Sequence, residues 1–169
     1  ENLQKEYKYI IACGGDGTLN EITHGLYNLN KKITIGFIPC GTTNDYARNL
    51  NIPRNKKHLS KNISDYTIIQ VDLGTFNEKT FNYCVTFGLF AKTSYSVSRK
   101  AKNLFGRFAY IFSGIKEVFN YKTYQLKVKY DENEIEDEFI FGSITNSRYL
   151  GGFHIFRKEQ IKIDDGMFE

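Results

Sequence analysis

The chain has 169 residues, 41% hydrophobic and 15% aromatic, enough for one large domain or two small ones around a packed core. A net charge of +4 suits anionic ligands or an anionic membrane surface and is too weak to argue for nucleic acid. No apolar run approaches the ~18 residues of a membrane span, and the polar start Glu1-Asn2-Leu3-Gln4-Lys5-Glu6 is no signal peptide, so a cytoplasmic protein is expected.

Tyr9-Ile10-Ile11-Ala12-Cys13 lies in an apolar run over 7–13 that reads as a buried strand. The turn Gly14-Gly15-Asp16-Gly17-Thr18 follows, then a helix over 18–29 with Leu19, Ile22, Leu26 and Leu29 at helical spacing. Ile33 to Ile38 reads as a second strand, closed by Pro39. After Cys40-Gly41-Thr42-Thr43, either Thr43 or Asn44 can cap a helix reaching Leu50, and Pro53 interrupts it. A lysine-rich helical stretch follows at 54–63. Strand–helix–strand–helix is the grammar of a parallel α/β sheet, whose ligands bind where strands end and helices begin.

Near residue 65 the period changes to two. Ile69, Val71 and Leu73 alternate with polar residues, as do Phe81 to Phe87 and Tyr124 to Tyr130; 133–147 and 153–164 read as further strands. One helical insertion interrupts them, with Phe105, Phe108, Ala109, Phe112, Ile115 and Phe119 at helical spacing. The expected organisation is a partial α/β unit over 1–64 and a mainly antiparallel β unit over 65–169. The acidic stretch from Asp131 to Glu138 reads as a solvated hairpin. Cys13, Cys40 and Cys84 have no paired spacing, so neither a disulfide framework nor a zinc site is expected; buried, reduced thiols are. The missing initial Met, and an end at Gly166-Met167-Phe168-Glu169 that reads as mid-strand, suggest a piece of a longer protein.

The first glycine turn lacks the Gly-Lys-Ser/Thr of a Walker A loop, and Asn20 stands where a dinucleotide fingerprint needs its last glycine. Two readings fit it. One is an ordinary strand-to-helix turn with Asp16 as a turn residue. The other is a phosphate site at a helix N-terminus, where Thr18 adds a hydroxyl and Asp16 implies a bridging Mg²⁺ or a hydroxyl partner. The second turn, Pro39 to Arg48, repeats the choice between caps and ligands. About twenty residues separate the turns, so adjacent parallel strands would set them side by side.

These segments resemble the diacylglycerol-kinase-type lipid kinases, the family that includes sphingosine and ceramide kinases. The resemblance rests on Gly14 to Glu21 and on Pro39-Cys40-Gly41-Thr42-Thr43-Asn44-Asp45-Tyr46-Ala47-Arg48. It extends to Gly106-Arg107-Phe108-Ala109-Tyr110, Asn146-Ser147-Arg148, Gly151-Gly152-Phe153 and Ile163-Asp164-Asp165-Gly166. It implies a diacylglycerol-kinase-like α/β part followed by a β-sandwich that holds lipid. The implied reaction is phosphoryl transfer from ATP to the hydroxyl of diacylglycerol or a related lipid. ATP phosphates would lie against Gly14, Gly15, Asp16, Gly17, Thr18, Leu19 and Asn20, with Thr42 also touching nucleotide. Asp16 and Asp45 would sit beside the reacting groups. A structural Mg²⁺ would be held by the Asp165 carboxylate and by backbone carbonyls near Lys162 and Met167.

Arg157-Lys158-Glu159-Gln160 stands where that family often has a proline. Its general base lies in a later segment, so the 169 residues alone are expected to be inactive. Two rival readings stay open: an NAD kinase, which shares the Gly-Gly-Asp-Gly turn, and a non-catalytic lipid-binding module. The basic residues Lys92, Arg99, Lys100, Lys102 and Arg107 beside Phe105, Phe108, Tyr110 and Phe112 fit either peripheral membrane contact or a core-facing stripe with a solvated basic side. Aromatic strands could also form a homodimer edge.

Overall fold

The computed structural model describes residues 7–53, 66–89 and 122–169. The lysine-rich stretch, the helical insertion, its Gly106–Tyr110 motif and its basic-aromatic face lie outside the described residues. What is described is a mixed α/β fold with many short strands and few helices.

β1 (Tyr9–Gly14) and β2 (Thr34–Pro39) pair in parallel, Tyr9 opposite Thr34 and Gly14 opposite Pro39. That register ends both strands at one level, so both glycine turns leave the same edge. Between them runs α1 (Asp16–Asn28), which buries Leu19 and Leu26. Leu29 keeps the helical spacing but sits at the C-cap, 49% exposed. Asn30 then takes a left-handed φ of 50°, a conformation asparagine tolerates better than most residues. α2 (Asp45–Asn49) follows the second turn, and Ala12, Leu19 and Tyr46 form the core cluster beneath both turns.

The later strands are shorter than their alternation predicts. Residues 66–73 form no strand, although Asp72 N donates to Ile163 O at 2.7 Å. β3 (Gly74–Phe76) and β4 (Lys79–Phe81) make a small antiparallel hairpin. The run expected from Phe81 to Phe87 breaks at Asn82 and Tyr83 before β5 (Cys84–Gly88). The break has a cause: Asn82 N donates to the Asn20 side chain, and Tyr83 O accepts from Asn146 N. Periodicity cannot register either partner. The run expected over 153–164 is likewise replaced. β9 (Tyr149–Leu150) and β10 (Phe153–His154) form a tight hairpin, whose Gly151 and Gly152 take φ of 60° and 91°. A single 3₁₀ turn, Lys158–Gln160, follows, in which Arg157 N donates to Gln160 Oε1 at 2.8 Å.

β6 (Tyr124–Tyr130) and β7 (Asn133–Phe139) form the expected acidic hairpin, and β8 (Phe141–Thr145) pairs with β5. Glu134 lies 2.6 Å from Lys127 Nζ and 3.3 Å from Lys129 Nζ. By packing, the chain separates into two compact units, 1–84 with 145–169, and 85–144. Residues 66–84 and 145–169 thus cluster with the glycine turns. No helix among the described residues is long and apolar enough to cross a membrane.

The thiols depart from expectation. Cys13 and Cys40 are exposed; Cys84 alone is partly buried. In β1 it is Ala12 that faces the core, which turns its neighbour Cys13 outward.

Candidate functional site

α1 opens inside the first glycine turn, with Gly15 as an extended N-cap and Asp16 as the first helical residue. Its hydrogen-bond ladder begins with Leu19 N donating to Gly15 O at 3.1 Å. The amides of Gly17 and Thr18 precede that ladder, as the first donors of any helix do. Gly17 faces open space, and Thr18 is exposed. Leu19 is instead a core side chain, and Asn20 Oδ1 accepts Asn82 N at 3.3 Å.

The second turn presses directly on the first. Cys40 N donates to Gly14 O at 2.7 Å. A Cβ added to Gly41 would stand 2.6 Å from Gly15 Cα, so the backbones meet where only glycine fits. Asn44 holds the turn's shape. Its side chain accepts from Gly41 N and donates to Gly41 O, each at 2.8 Å, and its φ of 48° is left-handed. Thr42 lies in this turn, half-buried.

Asp16 ties the two turns together. Its Oδ2 accepts Asp45 N at 3.0 Å and its Oδ1 accepts Tyr46 N at 3.1 Å, so it caps α2 from across the corner. Burial raises its pKa above the ordinary aspartate value, and the two backbone amides pull the other way. Asp45 is 1% exposed. Its Oδ2 accepts Tyr83 Oη at 2.9 Å and Gly152 N at 2.7 Å, while Arg48 stands 3.5 Å from Oδ1. Burial, with the Asp16 and Asp45 charges, pushes the nearby Cys84 thiol up to about 12.

Asn49 and Tyr149, which the motifs do not include, join Arg48 and the Asn146–Arg148 and Gly151–Gly152 motifs to the corner. Asn49 Nδ2 donates to Asn146 O at 3.1 Å, and Asn49 Oδ1 accepts Arg148 N and Nε at 3.2 and 3.0 Å. Arg48 donates to Gly152 O at 3.1 Å and lies 4.1 Å from the Tyr149 ring centroid. The segments around Asn44–Asn49 and Asn146–Gly152, far apart in sequence, are therefore one hydrogen-bonded body. Tyr83 was legible only as a strand residue, and nothing in its spacing marks it as Asp45's partner.

Asp165, the expected metal ligand, lies in an exposed turn. Its Oδ1 accepts Met167 N at 3.1 Å, and Asp72 Oδ2 accepts Gly166 N at 2.7 Å across the same turn. Lys162 and Met167 are exposed there too. Among the described residues no three His, Cys, Asp or Glu side chains gather as a metal cluster. The Asp165 turn offers oxygen donors alone, a set that fits a hard, largely hydrated cation such as Mg²⁺.

Two glycine turns meet edge to edge at the ends of parallel strands, the edge at which open α/β sheets bind their ligands. Residues 1–76 match the family model described as the diacylglycerol kinase catalytic domain. The chain is 32% identical over 170 residues to a diacylglycerol kinase of Bacillus subtilis (strain 168), covering 100% of this chain and 56% of that protein. It is 34% identical over 169 residues to one of Staphylococcus epidermidis (strain ATCC 12228 / FDA PCI 1200), covering 98% of this chain and 52% of that protein. The crystal structure of a diacylglycerol kinase from Bacillus anthracis str. Sterne superposes with a TM-score of 0.72 at 32% identity, over 95% of this chain and 52% of that one. A second solved chain from that organism gives 0.75 at 35% identity, over 94% of this chain and 52% of that one. The chain belongs to the diacylglycerol kinase catalytic-domain family. It spans about half the length of the relatives it matches.

Proposed function

We propose that this chain carries the nucleotide-facing corner of an ATP-dependent lipid kinase that phosphorylates the hydroxyl of diacylglycerol or a related lipid. The observation that carries the reading is the backbone contact of Gly15 with Gly41, locked by the Asp16 carboxylate on the amides of Asp45 and Tyr46. Phosphoryl transfer asks little covalent chemistry of a protein; positioning and charge neutralisation supply most of the rate. ATP with Mg²⁺ supplies the phosphoryl group and the neutralising charge.

In this reading Gly14, Gly15, Gly17, Thr18 and Asn20 face the phosphates, and Thr42 approaches the nucleotide from the second turn. Leu19 contributes its place in the core beneath them. Asp16 and Asp45 act as positioning residues, because backbone amides, Tyr83 and Arg48 already take up their oxygens. A β-sandwich within 65–169 would hold the lipid, and Asp165 with the carbonyls of Lys162 and Met167 would hold a structural Mg²⁺. The protein would work at the cytoplasmic membrane surface, where its lipid resides.

The test offers γ-labelled ATP to the full-length protein with diacylglycerol, sphingosine, ceramide or NAD as acceptor. Label entering one of the lipids is the expected result. Label entering only NAD would replace this reading with an NAD kinase. Label entering none would favour a lipid-binding module.

A further inference from the structure

Cys13 and Cys40 are chain-distant, yet their sulfurs stand 3.5 Å apart on the exposed side of the β1–β2 pair. The register explains the meeting. Ile38 lies opposite Cys13, and Cys40, the residue after β2, stays against β1 because its N donates to Gly14 O at 2.7 Å. Each cysteine immediately precedes a glycine turn: Cys13 leads into Gly14-Gly15, and Cys40 into Gly41. A disulfide needs its sulfurs at about 2.0 Å. The 3.5 Å separation therefore has to close by roughly 1.5 Å for the bond to form.

We propose that Cys13 and Cys40 form an oxidisable dithiol that closes to a disulfide by exchange with a small-molecule disulfide. The Cys40 thiolate attacks one sulfur of that molecule, forming a mixed disulfide and expelling one small thiolate; Cys13 is the poorer first nucleophile, because the Cys40 sulfur beside it raises its pKa. The Cys13 thiolate then attacks the Cys40 sulfur, forming the protein disulfide and expelling the second. The protein's two sulfurs are oxidised, the small disulfide is reduced to two thiols, and the two protons lost by the cysteines pass to those thiols. Cys84 stays out of the exchange, because its thiol is partly buried and held protonated. In a reducing compartment the same exchange runs backwards, which makes the bond a reversible modification of the kind redox-sensing proteins use. The bond would clamp the two strand ends that carry the glycine turns. The chemistry stands apart from the nucleotide reading; only a consequence for ATP binding rests on it.

The experiment incubates the full chain with oxidised glutathione and maps its cysteine peptides by mass spectrometry without reduction. The expected main product is a peptide pair joined through Cys13 and Cys40, short of two hydrogens and unchanged by Cys84→Ser. Cys13→Ser and Cys40→Ser should each abolish the cross-link and accumulate glutathione on the cysteine that remains. Circular dichroism checks that each variant is folded, and Cys13→Ala with Cys40→Ala repeat the pair should serine perturb the strands. Stable glutathione adducts on the unaltered chain without a cross-link, a bond to Cys84, or no reaction at all would overturn the proposal.

Discussion

The corner where the glycine turns meet and the turn at Asp164-Asp165-Gly166 use the same materials, aspartates beside glycines, to opposite effect. At the corner, Asp45 is 1% exposed and holds Tyr83, Gly152 and Arg48 at once. Asp165, by contrast, is exposed and accepts only the nearby Met167 amide among the bonds found for it. A buried carboxylate with every direction filled fixes architecture, and its removal strands its partners without solvent. An exposed carboxylate with lone pairs facing water is free to take a ligand and contributes little to stability. The residue type is shared; burial and partner density separate the roles.

Substitutions on both sides probe that contrast. Asp45→Ala should cost the most, about 3 kcal/mol or more in urea unfolding, because it orphans Tyr83 Oη, Gly152 N and the Arg48 charge. Gly41→Ala should follow at about 1–3 kcal/mol, since the new Cβ would press on the Gly15 backbone and part the turns.

Asp16→Asn should cost about 1–2 kcal/mol, because an amide cannot accept from both Asp45 N and Tyr46 N. Its pH dependence gives a sharper check. Burial raises the folded-state pKa of Asp16 above the ordinary aspartate value of 3.8. Between the two values the folded chain holds the proton more often than the unfolded one, so this group's contribution is full below 3.8 and is lost as pH rises through the raised value. The stability difference between wild type and Asp16→Asn should therefore shrink with rising pH above 3.8; a difference that grows would reverse the sign of the shift. Asp165→Asn should be nearly silent, within about 0.5 kcal/mol, and a large loss of stability there would erase the contrast.

Much of the corner was legible because it is local. The apolar run before Gly14 and the leucine spacing of α1 each state their own conformation, and parallel pairing sets the turns side by side; Asn44 stands at the N-cap, but its side chain bonds Gly41 and the distant Asp16 caps α2. What was illegible depends on long-range partners. Nothing around Asn49 announces Arg148, 99 residues away. The alternation from Phe81 to Phe87 could not reveal that Asn82 and Tyr83 leave the strand to meet Asn20 and Asp45. Cys13 was misplaced for a simpler reason: an apolar run suggests burial on both faces, whereas β1 keeps one face open, with Ile11 at 68% exposure.

The central claim is that the Gly15–Gly41 corner receives nucleotide phosphates. Amide chemical shifts of the full-length protein, followed as Mg²⁺ and ATP are added, test it most directly. The amides of Gly15, Gly17, Thr18, Gly41 and Thr42 should move together and saturate, and Gly41→Ala should abolish the response while the β6–β7 hairpin stays unperturbed. Saturable shifts confined to other segments, with these five amides still, would contradict it.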